Sequence, residues 1–329
     1  MLNVLLLKED DVKQLLTVDE VLEAVEAAFW EKALGRVQMP PKVYLFYGKY
    51  GGDLRVMPSY MESLDASAVK IVNSHPKNRD MNLPTVMATI VIIDPKTGAP
   101  LCIMGGTWIT AMRTGAAAGV ATKYLARKNS RKLGLVGAGV QASTQLMAVA
   151  HVAKLDEVRV YDKDEGTAET FVQKMQSQYP SMKIVVAETV QEAVGDADVI
   201  CTSTPSRQPV LKSEWVKLGV HINAMGADAP GKQEIESLLL EGGKIVVDDL
   251  EQSCHCGEVN VSISTGIFSK EKIYGELGEI VAGKKQGRVS EEEITIFDST
   301  GLALQDLVTA RLAYLKAVDR GLGTQFNFI

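Results

Sequence analysis

Apolar positions along the chain follow two different rhythms. Up to about residue 125, helical and extended patterns are mixed. Thr17 is followed three residues later by Glu20, the spacing of a capping box. It opens a run at helical intervals (Val21, Leu22, Val25, Ala28, Phe29) that predicts a helix ending near Gly35. Pro40-Pro41 then breaks the pattern, and Val43-Tyr-Leu-Phe-Tyr47 reads as a strand of aromatic and β-branched residues. Gly51-Gly52-Asp53 predicts a turn before a short strand at 54–57. Further strands are expected at 66–72, 86–93 and 100–104, with a turn at 94–98 between the last two. Closely spaced strands joined by turns predict an antiparallel or barrel-like sheet, because βαβ units need long helical crossovers.

From about 130 to 250 short apolar strands alternate with helical windows. Strands are expected at 133–136, 158–161, 184–186, 199–202, 221–224 and 245–247, with helices at 142–153, 168–178, 189–194, 213–218 and 233–241. That alternation predicts a doubly wound parallel sheet with helices packed on its faces. The pattern at 294–297 and the helical stretch 302–318 have no obvious place in that sheet and are expected to return to the first domain. The fold class is therefore α/β: a Rossmann sheet domain (121–299) plus an α+β domain (1–120 with 300–329).

Composition narrows the function. The chain has 329 residues, 46% of them apolar and 23% charged, as in an ordinary globular protein of one or two domains. With 35 basic against 41 acidic residues, it lacks the basic stripe that a nucleic-acid surface needs to displace counterions, so no nucleic-acid partner is expected. The cluster Arg127-Lys-Asn-Ser-Arg-Lys132 reads as a solvated connection. No apolar run approaches a membrane span, and the start turns acidic at Glu9-Asp10 without a basic leader, so neither membrane nor signal peptide is expected. Four cysteines in such a length make no disulfide framework, and a reducing, cytoplasmic setting is expected.

The sharpest motif is Gly137-Ala-Gly-Val-Gln-Ala142, a G-x-G-x-x-A turn between a strand and a helix. Gly137 allows the sharp turn, Gly139 leaves room for a pyrophosphate, and Ala142 lets helix and sheet approach. The helix amino end then offers free N–H groups to the anion. The next strand ends in Asp162, close to the expected spacing of about 20 residues. A carboxylate there can bind both adenosine-ribose hydroxyls and repels a 2′-phosphate, which favours NAD over NADP, although Lys163 stands beside it.

The substrate must be held by other residues. Arg55 and Arg113 are candidate forks for a carboxylate, and Lys70 and Asp228 form a candidate titratable pair. Lys70 interrupts the apolar run Ala68-Val-Lys-Ile-Val72, so it either faces outward or is deliberately buried. Asp228 lies in a loop after a predicted sheet strand, where open α/β sheets bind ligands.

Lys70-Ile-Val-Asn-Ser-His-Pro-Lys-Asn78, Arg113-Thr-Gly-Ala-Ala117, the glycine turn, Gly226-Ala-Asp-Ala-Pro-Gly-Lys-Gln-Glu234 and Asp298-Ser-Thr-Gly-Leu-Ala-Leu-Gln-Asp306 resemble, in order and over the whole chain, the ornithine cyclodeaminase/mu-crystallin family. Met39-Pro-Pro-Lys-Val-Tyr44, Thr204-Pro-Ser-Arg207 and Ile245-Val-Val-Asp-Asp-Leu-Glu-Gln252 resemble its archaeal-type alanine dehydrogenase branch. The resemblance implies a homodimer joined through the amino-terminal domain. It puts Arg55 and Arg113 on the substrate carboxylate and Lys70 and Asp228 at the reacting carbon. It assigns Thr114, Gly137, Gly139, Val140, Gln141, Asp162, Thr202, Ser203, Met225 and Asp298 to the NAD cofactor.

The chemistry expected of these parts is hydride loss from an α-amino acid to NAD, giving an iminium. Attack by water releases ammonia and a 2-oxo acid. Attack by a side-chain amine closes a ring instead, as in ornithine or lysine cyclodeaminases, and the same site could reduce a cyclic imine. A nicotinamide-dependent binding protein like mu-crystallin is the reading outside enzymology, and its mark would be loss of Lys70 or Asp228, both of which are present. No metal is expected: Cys254-His255-Cys256 lacks zinc spacing. Cys201 reads as a core residue, His75 as bordering the pocket or a turn, His151 as lying on a surface helix, and Trp108 as packing. For Asp298, capping the final helix competes with a nicotinamide contact.

Overall fold

A computed structural model of the chain describes residues 3–327 and divides it into two units, Met1–Arg113 with Leu302–Ile329 and Thr114–Gly301. The first opens with β1 (Asn3–Leu7), α1 (Glu9–Leu15) and α2 (Val18–Ala33). The apolar stripe of α2 (Val21, Leu22, Val25, Ala28, Phe29) is buried, as its spacing predicts, and Gly35 ends it at φ +71°. Then come β2 (Val37–Gln38), β3 (Val43–Tyr47), β4 (Gly52–Met61), β5 (Ala66–Ser74), β6 (Val86–Ile93) and β7 (Pro100–Gly105). β4 is longer than the pattern at 54–57 indicates, running on through Pro58. α3 (Thr107–Leu125) begins in this unit, where Glu9 accepts the N–H groups of Thr107 (2.7 Å) and Trp108 (3.0 Å).

The second unit holds β8 (Lys132–Val136), α4 (Val140–Val152), β9 (Glu157–Tyr161), α5 (Glu165–Gln178), β10 (Lys183–Val186), α6 (Val190–Val194), β11 (Val199–Thr202), β12 (His221–Ala224) and α7 (Ser237–Gly242). It continues through β13 (Lys244–Val247), α8 (Leu250–Cys256), α9 (Asn260–Ser264), β14 (Gly275–Glu276), α10 (Leu277–Val281) and β15 (Thr295–Asp298). Its sheet is parallel throughout, in the order β10-β9-β8-β11-β12-β15-β13-β14. The direction of winding reverses between β8 and β11, which makes the crevice at their carboxyl ends the switch point of a doubly wound fold.

Three expectations are corrected here. The pattern at 294–297 points outside the nucleotide sheet, yet β15 lies inside it, hydrogen-bonded to β12 and β13 and wholly buried. The long irregular passage before it hides its membership, since sheet order and chain order part company there. The window 213–218 forms only a single 3₁₀ turn at Ser213–Trp215. The helix expected from 233 begins at Ser237, because Gln233 and Glu234 are buried and bound to neighbouring loops.

After the second unit the chain returns to the first as α11 (Ala303–Arg320) and β16 (Thr324–Asn327). The first sheet runs β16-β1-β7-β6-β5-β4-β2, with β3 also on β4, and is antiparallel except where β1 meets β7. Alternation sorts its side chains. Arg55, Met57, Ser59 and Met61 of β4 and Ala66, Ala68, Lys70 and Val72 of β5 are buried on one face, against which α11 packs. Ser59 Oγ donates to Ala303 O there (3.0 Å). Val43, Leu45, Ile71 and Met87 sit on the opposite face and are exposed. Among the described residues, no helix is long and apolar enough to cross a membrane.

Candidate active site

In the first unit the register aligns Met57, Lys70, Ile90 and Met104 across four strands. A lysine thus occupies a position whose cross-strand neighbours are all apolar, and it is 1% exposed, which settles its direction: inward. Its Nζ lies 2.6 Å from Asp306 Oδ2, on the first turn of α11. Asp306 also holds Arg113: Arg113 Nε donates to Oδ1 at 3.0 Å, and Arg113 Nη1 donates to Gln305 Oε1 at 3.2 Å. Gln305 Oε1 accepts Leu302 N–H as well (3.2 Å), which fixes the amide so that its Nε2, a buried donor, points away from Arg113 without a protein partner. Burial and the Arg113 charge bring the Lys70 ammonium from 10.5 down to about 7, against the opposing pull of Asp306; Lys42 adds to the fall. Lys70 can therefore gain and lose a proton near neutrality.

Arg55 shares the Lys70 face. It forms a two-pronged pair with Asp53 (Nε–Oδ1 3.1 Å, Nη2–Oδ2 3.0 Å), and its guanidinium stands 5.6 Å from the Tyr44 ring. Asp53 thereby fixes the plane of the fork. The fold brings Lys70 and Arg113 together on one carboxylate, which no local pattern in the sequence marks. Asp306 closes the last family motif, but an acid in a helix's first turn looks like an ordinary dipole partner.

In the second unit the remaining candidates gather at the carboxyl edge of the parallel sheet. Gly137 (φ +100°) follows β8, and a side chain there would meet Ser203 O at 3.0 Å, just past β11. Gly139 caps α4, and nothing lies within 4 Å of where its Cβ would stand. Val140 and Gln141 form the first turn of α4. Asp162 follows β9; its carboxylate accepts Ala138 N–H (2.9 Å) and Asp164 N–H (3.0 Å), so it braces the glycine turn. Thr202 ends β11 and Ser203 follows it, Met225 and Asp228 follow β12, and Asp298 ends β15. Asp228 pairs with Lys232 at 2.6 Å. Thr114 is apart from these in the chain, buried on α3, whose next residue Gly115 approaches Thr144 of α4 so closely that a Cβ would be 2.4 Å from Thr144 O. Open space at Gly139, N–H groups at the start of α4 and an acid after β9 together fit the pyrophosphate and ribose of a dinucleotide.

Asp298, Cys201 and His75 also have structural duties. Asp298 does not cap the final helix; fully buried, it accepts the N–H groups of Glu258 (2.9 Å) and Val259 (3.3 Å). Burial pushes the Cys201 thiol up to about 12, as suits a core residue. The ring of His75 stacks on Tyr47 and fills the space where a Cβ on Gly52 would stand. Among the described residues, no three His, Cys, Asp or Glu side chains are grouped to hold a metal ion.

The model of the ornithine cyclodeaminase/mu-crystallin family matches residues 3–321. The chain belongs to that family. It is 48% identical to the alanine dehydrogenase of Archaeoglobus fulgidus over 327 residues, 99% of each chain. It also superposes on solved structures of the family. An archaeal alanine dehydrogenase dimer with bound NAD gives a TM-score of 0.95 at 48% identity, covering all of both chains. The Delta(1)-pyrroline-2-carboxylate reductase of Thermococcus litoralis, in complex with NADH and L-proline, gives 0.95 at 43% identity over 98% of this chain and 99% of that one.

Proposed function

We propose that this member of the family is an NAD-dependent oxidoreductase that deaminates a small L-amino acid, L-alanine first, to the 2-oxo acid and ammonia, reversibly. The observation that carries this reading is the Lys70 Nζ, sealed from solvent 2.6 Å from Asp306 Oδ2, the carboxylate that also holds Arg113; the 48% identity to an archaeal alanine dehydrogenase puts alanine first. Arg55 and Arg113 bind the substrate carboxylate and so fix the orientation of Cα. The glycine turn, the first turn of α4, Asp162, Thr114 and the strand-end residues Thr202, Ser203, Met225 and Asp298 hold NAD, which when bound accepts hydride from Cα. Lys70, neutral in the oxidative direction, takes one proton from the substrate ammonium and releases it to solvent, then takes one from the water that attacks the iminium and returns it to the departing nitrogen. Asp228 orients that water or the departing amine.

A second reading, reduction of a cyclic imine such as pyrroline-2-carboxylate, is favoured by the likeness to the Thermococcus litoralis reductase. Both reactions use the same carboxylate anchors and the same lysine. Incubation with NAD and, separately, L-alanine or L-ornithine tests the choice, with NADH and ammonia both recorded. One NADH per ammonia from alanine supports deamination. Ammonia from ornithine without NADH means cyclodeamination. Inactivity with both, and turnover of the cyclic imine with NADH, favours the second reading.

The first unit also serves as the dimer contact in this reading. Its exposed row Val43, Leu45, Ile71 and Met87 lies on the sheet face opposite Lys70, apolar surface of the sort a second copy covers.

A further inference from the structure

Behind the carboxyl edge of the parallel sheet, three fully buried acids form a ladder in which the carboxylates of the first two each grip the main chain at the next acid. Asp298 accepts the N–H of Glu258 (2.9 Å). Glu258 accepts the N–H groups of Glu234 (2.9 Å) and Ile235 (2.6 Å). Glu234 accepts Thr202 Oγ1–H (2.7 Å), Thr204 N–H (2.5 Å) and Gly226 N–H (2.8 Å). All three acids are 0% exposed. The top rung therefore ties together the segments that leave β11 and β12, one carrying Thr202 and Ser203, the other Met225 and Asp228. Gly226 has no alternative there: a Cβ would stand 2.5 Å from the Glu234 carboxyl and 2.3 Å from Thr204 O.

We propose that Glu234 is the positioning residue of the cofactor site, setting the spacing of the β11 and β12 exits and hence the affinity for the dinucleotide. The proposal rests on the reading that the second unit takes NAD. Glu234 itself reaches no ligand in this scheme; it acts through Thr202 to Thr204 and through Gly226. The donor pattern explains why the residue is an acid. Main-chain N–H groups reach both oxygens, Thr204 on Oε1 and Gly226 on Oε2, so either orientation of a glutamine would set an NH₂ group against an N–H. The desolvation cost of the ladder is real, since burial raises both Glu234 and Glu258, the latter further under the charge of its neighbour. An ion placed there for packing alone would be poor economy; its value lies in fixing two loops at once.

The test uses the full-length enzyme and titrates NAD into wild type, E234Q, E258Q and T122V, with thermal melts of each. T122V removes a buried hydrogen bond of the same unit, Asn223 Nδ2 to Thr122 Oγ1 (3.0 Å), without touching the ladder, and serves as a matched loss of stability. E234Q should weaken NAD binding about tenfold while the amino-acid KM at saturating NAD stays within about twofold. E258Q should weaken NAD binding by a smaller factor. T122V should leave it unchanged even where its melt falls as far as that of E234Q. NAD affinity equal to wild type in a folded E234Q overturns the proposal, and so does a loss that T122V reproduces. If E234Q does not fold, E258Q decides by the same measure: unchanged NAD affinity there refutes the ladder. Wild-type protein that binds no NAD would instead sink the cofactor reading itself, and the proposal with it.

Discussion

The Lys70 Nζ stands 2.6 Å from Asp306 Oδ2, and both side chains are all but sealed from solvent. Asp306 holds Arg113 on its other oxygen, so one carboxylate orients both the proposed proton carrier and one of the proposed carboxylate anchors. Among the charges acting on Lys70, Asp306 is the one that favours the ammonium, and burial and Arg113 oppose it.

Replacing Asp306 by asparagine keeps the shape and removes that charge. Lys70 should then lose its proton more easily. In wild type, oxidative kcat/KM should rise with pH through a limb near 7, where Lys70 becomes neutral. In D306N the limb should move to lower pH, while the plateau falls roughly a hundredfold because Lys70 and Arg113 lose their fixed geometry. A pH–rate profile with the limb unmoved, or moved upward, would refute the link.

K70M should separate stability from activity. The unfolded chain keeps the Lys70 proton to about 10.5 and the folded chain releases it near 7, so burying the lysine costs on the order of 5 kcal/mol at and below neutral pH. That cost is relieved as pH rises from 7 towards 10.5. Methionine continues the apolar row with Met57, Ile90 and Met104, and Asp306 keeps Arg113 as partner. K70M should therefore melt no lower than wild type at pH 7 and lose at least about a thousandfold in kcat. Its advantage in Tm should shrink as the pH is raised. Thermal melts from pH 7 to 10, set beside initial rates, check both halves.

The two turn glycines should fail in different ways. G139A adds a methyl group where nothing lies within 4 Å, so the melt should stay within about 0.5 kcal/mol of wild type while the KM for NAD rises tenfold or more. G137A forces an alanine to φ +100° beside Ser203 O, and should cost on the order of 1–3 kcal/mol of stability. An unchanged KM for NAD in a G139A that melts like wild type would argue against a pyrophosphate at Gly139.

I71E places a charge in the middle of the exposed apolar row of the first sheet. The wild type should run as a dimer by light scattering, and I71E should shift it to the monomer mass with Lys70 still buried on the other face. An unchanged mass for I71E would move the dimer contact elsewhere.

Much of the fold is legible because strands buried on both faces read as short continuous apolar runs, as in 133–136 and 245–247. β15 reads the same way, but its place in the sheet does not, since nothing in a local pattern reports that residue 296 will pair with residues 222 and 245. At the site, Lys70 stands out as a charge in an apolar run and the glycine turn as a spaced motif. Asp306 and Glu234 carry no such mark. One sits in a helix's first turn and the other in a window that imitates a helix; their importance comes from partners far away in the chain.

That distance has a consequence for how the enzyme is made. β1 pairs with β16, aligning Asn3 with Asn327, and the lysine of residue 70 waits for the aspartate of residue 306. On the ribosome, the first unit must hold an unfinished sheet, with one strand and its covering helix missing, until nearly the whole chain has emerged. Such remote pairings slow folding and leave strand edges open to other chains. The amino-terminal unit is thus begun first and completed last, and a nascent chain stalled before residue 303 would carry a lysine destined for burial but still hydrated.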